Sequence, residues 1–284
     1  MLRALKQFRA AVSLVSPEEI RKRAGRRVSI GLIAADEAGY RELEDFLAPG
    51  SLAGEVRAER LETAYRAGDP NVPAQVDLVL YSADLPCPHG AFRHHRGDEP
   101  ATIKEILHTH DELALSLARY YPVFRKTVVE RIVQAVSREN ALFALASALP
   151  NVVPNLFELP WTLGEFASDT VFLTLNQCRM ALLVAAACGA EVGFSHQKAE
   201  IVSITAGAFG WRAIARELAG KIPLGGGLIP KGAIAYAATF AIGKGLEYYH
   251  HAHVPHTSEQ RHRAYEAAFE RGKAVAESLA KEVG

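Results

Sequence analysis

The chain has 284 residues, of which 49% are apolar and 23% charged, so it can bury a substantial core and is not a disordered segment. Lysine plus arginine balances aspartate plus glutamate at 32 each, which leaves no electrostatic footprint for nucleic acid. Three cysteines, Cys87, Cys178 and Cys188, form no CxxC pair; they exclude a disulfide scaffold and fit a reducing compartment.

Residues 1–16 carry Arg3, Lys6 and Arg9 ahead of an apolar run, Ala10–Val15, that is too short for a secretory leader. Ser16-Pro17-Glu18-Glu19 reads as a helix start, with Ser16 as cap and Pro17 at the first helical position. The basic stretch Arg21–Arg27 reads as its solvated end. Val28–Ala35 is a short apolar run expected to be a buried strand. An amphipathic helix over Ala38–Leu47, a second helix over Val56–Tyr65 and a second strand over Val76–Tyr81 complete a β-α-α-β unit suited to a parallel pair. The polar loop Pro86–Pro100 is the expected domain boundary. Beyond it, helices are expected over Ile103–Tyr121, Pro122–Leu149, Leu163–Cys188, Gln197–Ala219, Lys231–His251 and Ser258–Glu282. The last is charged and amphipathic, which predicts a surface helix on which Ala268 tolerates a larger side chain.

The fold class is therefore α+β and mostly helical. A helical segment (1–27) leads into a small α/β unit (28–100) and then an Ala/Gly-rich helical bundle (101–284). Two runs stand out. Thr170–Ala190 contains one charge, Arg179, and Ile222–Gly243 contains one, Lys231. Both are long enough for the ~20 apolar residues a spanning helix needs, although a mid-run charge is costly in hydrocarbon. Pro230 also suggests a later start for the second helix. Each run carries small residues four apart, Ala181, Ala185, Gly189 and Gly193 in the first and Ala233, Ala237, Ala241 and Gly245 in the second. Such rows are helix contact faces, either in a membrane pair or in a bundle packed through alanine. Glu165, Asp169, Asn176 and Arg179, with Gln177 beside them, form a polar stripe on the first of these helices. A stripe there must meet water, a partner or a buried network, and the network is the expectation.

No motif calls for a cofactor or a metal. Gly225–Gly232 places Lys231 near a Walker-type position, but Pro230 and Gly232 replace the glycine and the Ser/Thr that such a loop requires. After the first strand, Asp36-Glu37-Ala38-Gly39-Tyr40 puts two acids where a phosphate loop would sit. The histidines gather at His89, His94 and His95, at His108 and His110, and at His250, His251, His253 and His256. None has zinc-site spacing, and all read as surface residues.

Asn140–Leu145, Ser147–Pro150, the stretch Ser168–Gln177, Phe209-Gly210-Trp211-Arg212 and Lys231–Thr239 together resemble the YcjF-like family of bacterial domains of unknown function, over about residues 117–249. The resemblance implies membrane association and, because such a domain follows an Era-like GTPase domain in some relatives, a link to a GTPase. It carries over no catalytic residue. The N-terminal unit lacks the phosphate loop, so it is either a degenerate G-like unit or an unrelated one. The expected function is that of a non-enzymatic, membrane-associated adaptor or regulator at the cytoplasmic membrane, with a cytoplasmic N-terminal unit. The alternatives are a soluble, cytoplasmic helical partner of a separate GTPase, and an enzyme with its site at the Glu165–Arg179 stripe. A homo-oligomer is compatible with each.

Overall fold

The computed structural model describes residues 16–147, 169–205 and 228–283. It is mostly helical with one small sheet. In chain order the elements are α1 (Pro17–Gly25), β1 (Ile30–Ile33), α2 (Glu37–Leu47), α3 (Gly54–Leu61), β2 (Ala64–Arg66), β3 (Leu78–Tyr81), β4 (Phe92–Arg93), α4 (Glu99–Thr109), a 3₁₀ turn (Asp111–Leu113), α5 (Ala114–Tyr120), α6 (Pro122–Ala146), α7 (Asp169–Ala187), α8 (198–205), α9 (Leu228–Ala252) and α10 (Ser258–Val283). The chain divides into two compact units. An α/β unit comprises Glu19–Val129 with Ala186–Ala190; a helical unit comprises the other described residues from Glu130 onward. The first unit thus continues past the loop at residues 86–100 where the sequence places a boundary.

In the α/β unit the sheet order is β2-β1-β3-β4, with every pair parallel. Ile30 and Leu32 of β1 and Leu80 of β3 are fully buried, as the continuous apolar runs require of strands covered on both faces. Asp77 fixes the β1–β3 register: its carboxylate accepts from the Ser29 N–H (2.9 Å) and hydroxyl (3.0 Å), while its own N–H donates to the Ser29 carbonyl (2.9 Å). Three expectations are corrected here. The helix expected over Val56–Tyr65 stops at Leu61, because Thr63–Ala67 pair with β1: Ile30 N–H donates to Thr63 O (2.8 Å) and Ala67 N–H to Leu32 O (3.1 Å). The loop 86–100 contains β4, added to the sheet through Leu80↔Phe92. The helix expected over Ile103–Tyr121 is broken at His110, which leaves helical backbone angles and sets its ring against Phe92 (centroids 5.6 Å apart).

In the helical unit, α9 is central. Val133 and Leu145 of α6 lie against its Gly243 and Gly232, so α6 runs antiparallel to it. On α10, Ala276 and Leu279 meet Tyr236, whereas Tyr265 and Ala268 meet Ala237, Ala238 and Ala241, so α10 is antiparallel as well. The row Ala233, Ala237, Ala241 is a contact face, buried to 1% exposure or less, with Gly245 half-buried at its end. Glycine is needed where the backbones approach: a Cβ at Gly272 would lie 2.8 Å from the Ala233 carbonyl oxygen, and one at Gly243 would lie 2.5 Å from a Val133 methyl.

Two further readings change. The other row does not lie on one helix. Ala181 and Ala185 are buried on α7, but α7 ends at Ala187, Gly189 is exposed in the following turn with φ +83°, and Gly193 lies beyond it. A positive φ suits glycine and stops the helix. Nor is α10 only a surface helix, since Ala268 is buried. Among the described residues no helix is long and apolar enough to cross a membrane.

Gly272→Ala and Gly243→Ala should each destabilise the protein by ~1–3 kcal/mol through overpacking. Gly245→Ala, whose new methyl would meet nothing closer than His256 Nδ1 at 3.8 Å, should be neutral or stabilising by ~0.5–1 kcal/mol, because alanine restricts the unfolded chain. Denaturant unfolding of the three variants checks this ordering.

Candidate functional site

The polar stripe on α7 leads to the most organised cluster in the helical unit. Asn176 is fully buried. Its Nδ2 donates to Asn140 Oδ1 (3.0 Å) and to Glu139 Oε2 (2.9 Å), both on α6, and its Oδ1 accepts from Arg179 Nε (2.9 Å). Asn140, also fully buried, donates through Nδ2 to Thr239 Oγ1 on α9 (2.8 Å) and to the Leu173 carbonyl (3.3 Å). Gln177 Nε2 donates to the same Thr239 hydroxyl at 3.1 Å. Arg179 pairs with Glu139, the two side chains being 18% and 25% exposed. The network is therefore graded, with an ion pair at its rim and amides and a hydroxyl in its dry centre. Each partner sits one helical turn or less from the next, so three helices meet at one level.

Of the sequence-predicted stripe, the structure brings Asn176, Gln177 and Arg179 together. Glu165 lies outside the described residues and the Asp169 side chain is not described. The residues missed were Glu139, Asn140 and Thr239. The available signal was Asn140 and Thr239 as isolated polar positions inside apolar helix stretches, where an amide or hydroxyl must find a partner. Chemically, the arrangement binds mainly its own members. Glu139 accepts from a guanidinium and an amide, and both amides are engaged at their oxygen and nitrogen atoms. Cys178, next in sequence to Gln177, is buried, and burial pushes its thiol up to about 12, far from the thiolate a nucleophile needs. Phe143 of α6 and Phe172 of α7, both buried, stack 4.0 Å apart between the same two helices.

At the C-terminal edge of the parallel sheet chain order reverses between β1 and β3, the position at which open α/β sheets hold ligands. Here the protein's own side chains occupy the groups a phosphate would use. Asp36 caps α2, accepting from the Gly39 N–H at 2.8 Å. Gly39 serves close helix–strand packing, since a Cβ would lie 2.9 Å from the Ala34 methyl. Arg66 at the end of β2 binds Glu44 (2.7 Å) and Glu37 (2.8 Å) and lies over the Tyr40 ring, and those hydrogen bonds hold the Glu37 carboxyl below its ordinary range. Glu42 pairs with Arg96 and meets His94 Nδ1 at 3.0 Å; Arg96 first, and His94 after it, hold Glu42 low.

The histidines divide. His94 is 3% exposed and packs against Phe46, and His250 is largely buried with its Nε2 3.9 Å from Glu200, so neither is the surface residue the sequence suggested. Burial, followed by its neighbours His253 and His251, pushes the His250 pKa down. Among the described residues no group of His, Cys, Asp and Glu is placed to hold a metal ion. The chain matches no family model, no curated protein and no solved structure.

Asn176→Ala leaves Glu139, Asn140 and Arg179 each short of a partner, and should destabilise by ~1–3 kcal/mol per orphaned buried group. Gln177→Ala, which removes one of two donors to Thr239, should cost less. Urea unfolding curves for the two variants check the order.

Proposed function

We propose that the chain is a non-enzymatic adaptor or regulator in which the helical unit provides membrane association and the α/β unit meets a protein partner. The observation that carries this reading is the amide network. Among the described residues Asn140, Asn176, Gln177, Thr239 and the Glu139–Arg179 pair hydrogen-bond to one another, and at the sheet edge the acids and bases are likewise paired with each other. Polar groups used in this way hold a scaffold; they do not turn over a substrate. The resemblance to the YcjF-like family supports the membrane and GTPase connections. A second reading, a soluble helical partner or regulatory module of a separate GTPase, is favoured by the absence of a spanning helix among the described residues.

Fractionation of cells expressing the full chain separates the two. The adaptor reading expects the protein in the membrane pellet, released by an alkaline wash as a peripheral protein would be. Recovery in the soluble fraction as a monodisperse species without detergent would overturn it in favour of the soluble partner.

A further inference from the structure

In the α/β unit, Arg26, Arg27, Arg57, Arg66 and Arg96 each hold a carboxylate. Among the described residues three other arginines do not. Arg60 at the end of α3, Arg119 on α5 and Arg125 in the first turn of α6 donate there to backbone carbonyls alone. Arg60 Nη1 reaches Arg119 O at 2.9 Å, Arg125 Nη2 reaches that same oxygen at 3.3 Å and its Nε reaches Ala118 O at 3.1 Å, and Arg119 Nη1 reaches Ala190 O at 2.7 Å. Two guanidinium groups sharing one carbonyl oxygen lie close together with no negative charge between them. Each guanidinium has five N–H donors, and only one or two of each are engaged here. The Nε of Arg60 is buried without a hydrogen-bond partner. Gly189 closes in on this cluster: a Cβ there would lie 3.3 Å from Arg125 Nη2, so its left-handed turn leaves room for the guanidinium. Partial burial first, and then the Arg60 charge, push the Arg125 pKa down; Cys188 works against them and the Arg119 charge adds to them.

Like charges gathered at a half-buried place, with donors unspent, are arranged for an anion. We propose that Arg60, Arg119 and Arg125 form a binding site for a phosphomonoester group. A carboxylate carries one charge and two oxygens, which a single arginine fork satisfies. A phosphomonoester carries close to two charges and three terminal oxygens, which match three guanidinium groups. This site lies on the helical side chains around the 118–119 carbonyls, away from the strand–helix turn at Asp36, and does not depend on a phosphate loop. The group is either a free phosphate ester or a phosphomonoester lipid headgroup.

The test is calorimetric titration of the full chain with inorganic phosphate against chloride at matched ionic strength, paired with flotation on phosphatidylcholine vesicles with and without phosphatidic acid. Saturable phosphate binding is expected, weakened about tenfold in Arg60→Gln and in Arg125→Gln, as the loss of one charge-assisted donor group implies. Arg60→Lys keeps the charge without the fork and should fall between. Flotation that requires phosphatidic acid and is lost in the same variants assigns the group to a lipid headgroup; phosphate binding without flotation assigns it to a soluble ester. Without phosphate, Arg60→Gln should melt no lower than the parent, because a repulsion has been removed. Binding unchanged in the glutamine variants, or neither phosphate binding nor phosphatidic-acid flotation, would overturn the proposal.

Discussion

Asn140 and Asn176 can be buried only if α6, α7 and α9 meet at one level. An amide in a dry interior has donors and acceptors that cost a few kcal/mol when left unmade. Here they are made by one another, by Thr239, by the Leu173 carbonyl and by the Glu139–Arg179 pair at the rim. Sliding any one helix by a turn would break several bonds together. Apolar contact has no such preference, and a bundle faced with alanine could slip at small cost. The network thus supplies the register of α6, α7 and α9, at which Gly243 of α9 meets Val133 of α6 closely; α10 contributes no described member and is placed on α9 by the alanine face and by Gly272 against Ala233.

The α/β unit uses charge differently. Its paired acids and bases lie mainly at the rim of the sheet, where Arg66 and Arg96 tie α2 to β2 and to the segment after β4. Exposed pairs of this kind contribute little individually. Their effect is positional: they fill the edge at which an open parallel sheet would otherwise receive a ligand, and they leave Asp36 to cap α2. Among the described residues, Arg60, Arg119 and Arg125 instead donate to backbone carbonyls.

Much of this was legible in the sequence. The short apolar runs around Ile30–Ile33 and Leu78–Tyr81 gave buried parallel strands. The row Ala233, Ala237, Ala241 was readable because it lies wholly inside one helix. The row through Gly189 failed because spacing alone does not show where a helix stops; Gly189 fits four-residue spacing and also suits a helix-ending turn, and its backbone took the second option. The strands Ala64–Arg66 and Phe92–Arg93 were missed because edge strands of three and two residues carry no periodicity, and pairing with β1 and β3 decides them. Half of the polar network was visible as the α7 stripe. The other half was not, because Glu139 and Thr239 are 37 and 63 residues from Asn176 in sequence, and only tertiary packing joins them.

Buried polar side chains on three helices act as one unit. A double-mutant cycle on Asn140→Ala and Thr239→Val, two fully buried groups bonded at 2.8 Å across α6 and α9, tests it most directly. The account predicts a coupling free energy of ~1 kcal/mol or more, as for groups in one hydrogen-bonded network. Additivity within ~0.3 kcal/mol, the behaviour of independent sites, would contradict it.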